Sequence, residues 1–161
     1  SLGDLALRKA VDAGEAAFID VVRDWGVRLR LDALSVFARW IAPAMMQKRF
    51  DTWFYVVQAP PDQAAACDGR ETVDAEWIAP EQAVSLAASG ARTIIFPTLM
   101  NLRLLAEAES AADCIVRAGV RPLTPVLPWV EKREGGPVLV IPPDAGYGEV
   151  AEPLSAVMGR G

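Results

Sequence analysis

The chain has 161 residues, 52% apolar and 23% charged, a length and balance that suit one soluble domain with a real hydrophobic core. No run of about 18 apolar residues occurs, and Ser1-Leu2-Gly3-Asp4-Leu5-Ala6 lacks the basic-then-apolar pattern of a secretory signal, so a cytoplasmic protein with no membrane partner is expected. The net charge of −5 argues against a nucleic-acid backbone as main partner, but allows a small phosphorylated ligand held by a local cluster of cations.

In chain order, two short helices come first. Asp4 is placed to cap the first, whose apolar stripe is Leu7, Ala10 and Val11 and which ends at Gly14. The second carries Phe18, Val21, Val22 and Trp25 at helical spacing and stops at Gly26. Residues 34–41 read as a strand closed by Pro43. Residues 50–58 are β-favouring throughout and apolar on both parities, which predicts a central strand covered on two faces. Residues 59–71 form a polar loop. Residues 72–78 alternate, with Val73, Ala75 and Trp77 on one face and Asp74 and Glu76 on the other, which predicts a further strand.

Pro80 opens a helix running to about Gly90. Thr98 is placed to cap another that carries Leu99, Leu102 and Leu105. Ser110 with Asp113 resembles a capping box for a helix ending near Gly119. Residues 125–132 and 137–142 predict a hairpin around Glu134-Gly135-Gly136, and the charge run Glu131 to Glu134 is its solvated tip. A loosely held tail after Gly146 is expected. Strands mixed with helices in this order give an α/β or α+β fold.

One absence bounds the chemistry. There is no histidine, so His-based triads, His-ligated zinc and an imidazole base are excluded within these residues. Hydrolysis would need carboxylates with a hard cation such as magnesium. Cys67 and Cys114 match no metal or redox spacing and read as reduced thiols.

Four segments, in order, resemble one branch of the Nudix hydrolases: the peroxisomal-type coenzyme A diphosphatases and their bacterial relatives. Arg39-Trp40-Ile41-Ala42-Pro43 followed by Lys48-Arg49-Phe50-Asp51-Thr52-Trp53-Phe54 is similar to that branch's W-[IL]-T-P and R-[RK]-F-D-T-x-F. Glu71 with Glu76-Trp77-Ile78-Ala79-Pro80 and Glu81-Gln82-Ala83 resembles its E-x-x-x-x-W-[IL]-x-P-x-[EQ]-A segment. Phe96-Pro97-Thr98 with Asn101-Leu102 resembles P-P-T-x-x-N-L, and Ile141 to Tyr147 resembles L-P-G-D-x-G-Y. Ala42, Phe96 and Pro143 depart from the pattern, none of them by a charged group.

The large departure is the catalytic box, G-x5-E-x7-R-E-U-x-E-E-x-G-U, whose helical glutamates share a face and ligate divalent cations. No two glutamates are adjacent in this chain. The closest mimic, Asp20 to Val27, has Arg23 where a metal-binding glutamate belongs, so residues 15–26 read as the insert helix of the branch. The box is therefore expected upstream of Ser1.

The resemblance implies an α/β/α sandwich with a mixed sheet, its N-terminal strands and Nudix helix lying outside these residues. In that picture residues 1–30 are a helical insert, 31–119 sheet and helices, 120–147 a C-terminal hairpin and 148–161 a tail. It further implies hydrolysis of coenzyme A or a related nucleotide by water activated on Mg2+ or Mn2+, with the chain alone inactive. A non-catalytic nucleotide-binding or protein-interaction module is the other reading. A sheet deprived of strands would also expose an edge and an apolar face, to be covered by the N-terminal segment or a partner chain.

Arg49 and Asp51 share a strand face, either as a phosphate-binding arginine and its orienting acid or as an ion pair at a strand end. Glu71 is an auxiliary carboxylate or a solvated loop residue. Trp53 and Trp77 offer rings to a base, while the parity of Trp77 with Val73 favours core packing. Arg39, within an apolar strand, needs a partner, and Asp51 and Glu76 are both candidates.

Overall fold

The computed structural model describes residues 5–61, 67, 69 and 72–159, which fall into two units, Ser1–Ala33 and Leu34–Gly161. In the first unit, α1 (Leu5–Asp12) half-buries Leu7, Ala10 and Val11, the stripe expected from their spacing. Gly14 ends it at φ +74°. In α2 (Phe18–Asp24), Val21 and Val22 are half-buried while Phe18 and Trp25 stay exposed, and Gly26 follows at φ +61°. Asp4 lies outside the described residues, so the expected cap does too.

The second unit is α+β. Strand β1 (Ser35–Ile41) pairs antiparallel with β2 (Asp51–Val56), and β3 (Trp129–Arg133), β4 (Gly136–Val140) and β5 (Ala151–Pro153) form an antiparallel sheet in that order. A parallel bridge from Trp40 to Val126 joins β1 to the chain that leads into β3. Its hydrogen bonds run from Ile41 N to Val126 O at 2.9 Å and from Val126 N to Arg39 O at 2.8 Å. Helices α3 (Pro80–Ala88), α4 (Phe96–Leu105), α5 (Ala111–Val120) and α6 (Leu154–Met158) complete the unit. Among the described residues, no helix is long and apolar enough to cross a membrane.

The core is built where apolar spacing converges. Phe96, Leu99 and Met100 bury one stripe of α4, and Cys114 and Ala118 are the buried positions of α5, which packs on β1. With Trp40, Val126, Leu139 and Ile141 these residues form one cluster. The register of β1 against β2 slips between Val36 and Ala38. A bulge of this kind sets two neighbours on the inner side, and Phe37 and Ala38 are both buried.

Several expectations need correction. Residues 50–58 are not a central strand: β2 has one strand neighbour among the described residues, and Phe50, Trp53 and Tyr55 are exposed. Two-sided apolarity marks surface that would be favourable to bury, and does not itself supply a cover. Residues 72–78 make no ladder, and Val73 and Trp77 are exposed, because alternation without a partner strand fixes no β-structure. Thr98 is not a cap. Its helix starts earlier, at Phe96, with Pro97 in the first turn where a missing N–H costs nothing. The chain after Gly146 is not loose, since Tyr147, Val150, Leu154 and Val157 all pack on the core and β5 pairs with β4.

Other local readings agree with the fold. Ser110 accepts from the amide of Asp113 at 3.1 Å, and the Asp113 carboxylate accepts from the amide of Glu109 at 3.0 Å. The hairpin closes through Glu134 and Gly135, with Arg133 opposite Gly136.

A candidate site on the outer strand

Cross-strand register decides what β2 presents on each face. Arg39 lies opposite Trp53 and diagonal to Asp51. Its guanidinium passes over the Trp53 ring, 4.9 Å from the centroid, and grips the Asp51 carboxylate with two hydrogen bonds, Nε to Oδ1 at 2.9 Å and Nη2 to Oδ2 at 2.6 Å. This bidentate clamp holds the Asp51 carboxyl below the ordinary aspartate range. Of the two acids open to Arg39 from sequence, Asp51 is the partner. Glu76 instead pairs with Arg92 at 2.8 Å.

Arg49 and Asp51 do not form the expected pair. Arg49 donates its Nε to Ala42 O at 3.0 Å, fastening the turn between β1 and β2, and the fork of Arg39 occupies Asp51. Arg49 stands two residues before Asp51, just outside β2, and it is Arg39 that reaches the carboxylate across the ladder. Trp77 is far from core packing at 77% exposure, and Glu71 lies outside the described residues.

The other face of β2 borders an open apolar groove of about 440 Å3. Thr52 and Phe54 form one wall, Met45, Met46 and Phe50 come from the turn, and Ile95 and Met158 lie across from them. Lys48 is the charged residue among those lining it. Sequence reading missed this groove, because its walls come from five separated stretches whose convergence no local pattern reports.

Beneath the groove, three segments singled out in the sequence meet. Trp40 Nε1 donates to Tyr147 Oη at 2.9 Å, and Tyr147 Oη donates to Asn101 Oδ1 at 2.6 Å. Trp40 also meets the edges of Phe96 and Tyr147, with ring centroids 5.9 and 5.4 Å apart. Asn101 is 4% exposed and its Nδ2 has no partner. Burial pushes the Tyr147 phenol above its usual value, partly opposed by the Trp40 hydrogen bond and the nearby Arg121 charge. Asn101 stood out in the sequence only as a motif position, and nothing there predicted this contact.

The donor set does not fit the divalent cation that the resemblance implies. Among the described residues, no three acids, cysteines or histidines cluster, and the best-placed carboxylate, Asp51, has both oxygens engaged by Arg39. Of the side chains on this strand, Trp53 is half exposed with Arg39 over one ring face, and Arg49 has its Nε on Ala42 O. Comparison with known protein families, with curated proteins and with solved structures gives no match.

Proposed function

We propose that this chain is part of a Nudix-type hydrolase of a nucleoside-diphosphate-linked substrate, coenzyme A or a related nucleotide. In this reading it supplies sheet, insert and substrate wall, and the metal-holding glutamates come from polypeptide other than these 161 residues. The observation that carries the reading is the hydrogen-bonded trio Trp40, Tyr147 and Asn101. Three segments that resemble the branch, with Trp40 and Tyr147 separated by 107 positions, close on a single buried hydroxyl. Chance likenesses scattered along a chain have no reason to converge.

The exposed aromatics of β2 and the open groove support the same reading, as surface that further strands would cover. The β1–β2 pair and the bridge to Val126 would then belong to a mixed sheet within an α/β/α sandwich, with α1 and α2 as its insert. Trp53 would face a base and Arg49 a phosphate. No bond-breaking step is assigned to the residues of this chain.

A non-catalytic nucleotide-binding or interaction module is the second reading, favoured by the engagement of Asp51 with Arg39. One experiment separates them. The protein translated from its whole reading frame, incubated with coenzyme A and magnesium, should release 3′,5′-ADP and phosphopantetheine, while the 161-residue chain releases neither. Thermal stabilisation by coenzyme A without turnover would favour the module. No response across a panel of nucleoside diphosphates sinks the hydrolase and the nucleotide-binding module, and leaves the interaction module.

A further inference from the structure

A second cavity, of about 280 Å3, lies where α5 ends, between Phe37 of β1 and the end of α4. Its wall is apolar through Phe37, Leu104, Val120 and Pro122, but two arginines one helical turn apart, Arg117 and Arg121, also line it.

Arg121 is in an unusual electrostatic position. Its guanidinium carbon sits 5.0 Å from the Phe37 ring centroid and 5.1 Å from that of Tyr147. Nη2 makes one long hydrogen bond, 3.4 Å, to Ala145 O. Nε and Nη1 are shielded from solvent and have no hydrogen-bond partner. No carboxylate among the described residues pairs with it. Ring faces attract a cation less strongly than a carboxylate does, so most of its donor capacity is desolvated and unused.

Arg117 adds further donor capacity. Its Nε is on Asp113 at 2.7 Å, which leaves its Nη groups for another acceptor, and its side chain is half-exposed. A positive charge at a helix C-terminus is favourable in itself and accounts for Arg117. It does not account for burying two donors of Arg121 unpaired, nor for two cations at a spacing where like charges repel.

We propose that this cavity binds a monoanionic carboxylate carried on a small apolar body, with the Arg121 guanidinium turning its shielded Nε and Nη1 edge into the cavity as the anchoring fork and Arg117 as a second contact at the rim. The apolar wall takes the body of the ligand, and a guanidinium matches a planar carboxylate in two-point geometry. Exposed Glu107, which also lines the cavity, opposes a second negative charge and so disfavours a phosphate dianion. This inference stands apart from the nucleotide reading and uses none of its residues except Tyr147, as a ring.

The test is a titration of the purified chain with benzoate, propionate or inorganic phosphate, read on the arginine Nε–Hε resonances by NMR. Benzoate should shift the Arg121 resonance saturably and slow alkylation of the buried Cys114 in the same wall, followed by peptide mapping. Arg121→Lys keeps the charge but loses the fork and should weaken benzoate binding about tenfold or more. Arg117→Gln should weaken it by a smaller factor. If Arg121→Lys does not fold, the Arg117→Gln affinity and the protection of Cys114 decide the matter. Inert carboxylates, binding of phosphate alone, or benzoate affinity unchanged in the folded variants would overturn the proposal.

Discussion

Tyr147 donates its phenolic hydrogen to Asn101 at 2.6 Å while accepting from Trp40 at 2.9 Å, so one buried hydroxyl ties β1, α4 and the C-terminal segment together. Removing it leaves an acceptor and a donor unpaired in the core. Tyr147→Phe preserves the ring contacts and should destabilise the chain by about 1–3 kcal/mol. Urea denaturation would measure this, with the slope unchanged if the fold is kept. An unchanged midpoint would mean that the trio contributes nothing net, and would weaken the functional reading that rests on it.

The same hydroxyl sets a pH dependence. Burial raises the Tyr147 pKa in the folded state, so the unfolded chain ionises first as pH rises. Between the unfolded and folded values the folded state holds more protons, and stability falls with increasing pH. This contribution is complete below about pH 10 and is lost above it. The difference between wild type and Tyr147→Phe in tyrosinate absorbance isolates this group, and its midpoint should lie above the ordinary phenol range. A midpoint at or below that range would contradict the burial argument.

How far the sequence could be read depends on whether a signal was local. The Ser110–Asp113 cap, the Gly14 and Gly26 stops and the turn at Glu134-Gly135 rest on one or two residues, and each appears as expected. The strand over 72–78 failed because its alternation needed a partner that no local pattern reports. The same reason separates Asp51 from Arg49: proximity along the strand suggested the pair, but the β1 register brought Arg39 across the ladder. The trio lay within the noted motifs, though the hydroxyl joining them could not be inferred from spacing. The order after Gly146 was missed because β5 is only three residues long and depends on β4.

The clamp on Asp51 predicts a second titration. Arg39 lowers the Asp51 pKa, so this carboxylate favours the folded state above the ordinary aspartate range and loses that contribution as pH falls through its lowered value. Carboxyl-carbon NMR should find the Asp51 midpoint below the usual range in wild type and returned upward in Arg39→Gln. Since both side chains are partly exposed, the loss of stability should be small and should shrink further in high salt. An identical midpoint in the variant would show that the ion pair does not persist in solution.

Gly146 adopts φ +81°, and a Cβ built there would meet Arg121 Nη2 at 3.4 Å. Alanine must therefore hold a left-handed backbone, with its Cβ in van der Waals contact with the guanidinium. Gly146→Ala should cost about 1–2 kcal/mol from the backbone conformation alone. It should also disturb Arg121 more than Tyr147→Phe does, which the Arg121 Nε–Hε shift would report. Wild-type stability in Gly146→Ala would require the turn to adopt another conformation.

The groove beside β2 makes the reading of an incomplete sheet testable without any substrate. An apolar concavity of about 440 Å3, lined by Met45, Met46, Phe50 and Met158, should bind a hydrophobic dye such as ANS in the folded 161-residue chain. Met46→Glu places an unpaired charge against that lining and should reduce the fluorescence severalfold. Because Met46 is already 41% exposed, stability should change little. If further polypeptide covers this face, the protein from the whole reading frame should show weak dye fluorescence, and Met46→Glu should then destabilise it. Equal dye binding by the two lengths of chain would mean that the face stays open, which favours an interaction module over a covered hydrolase sheet.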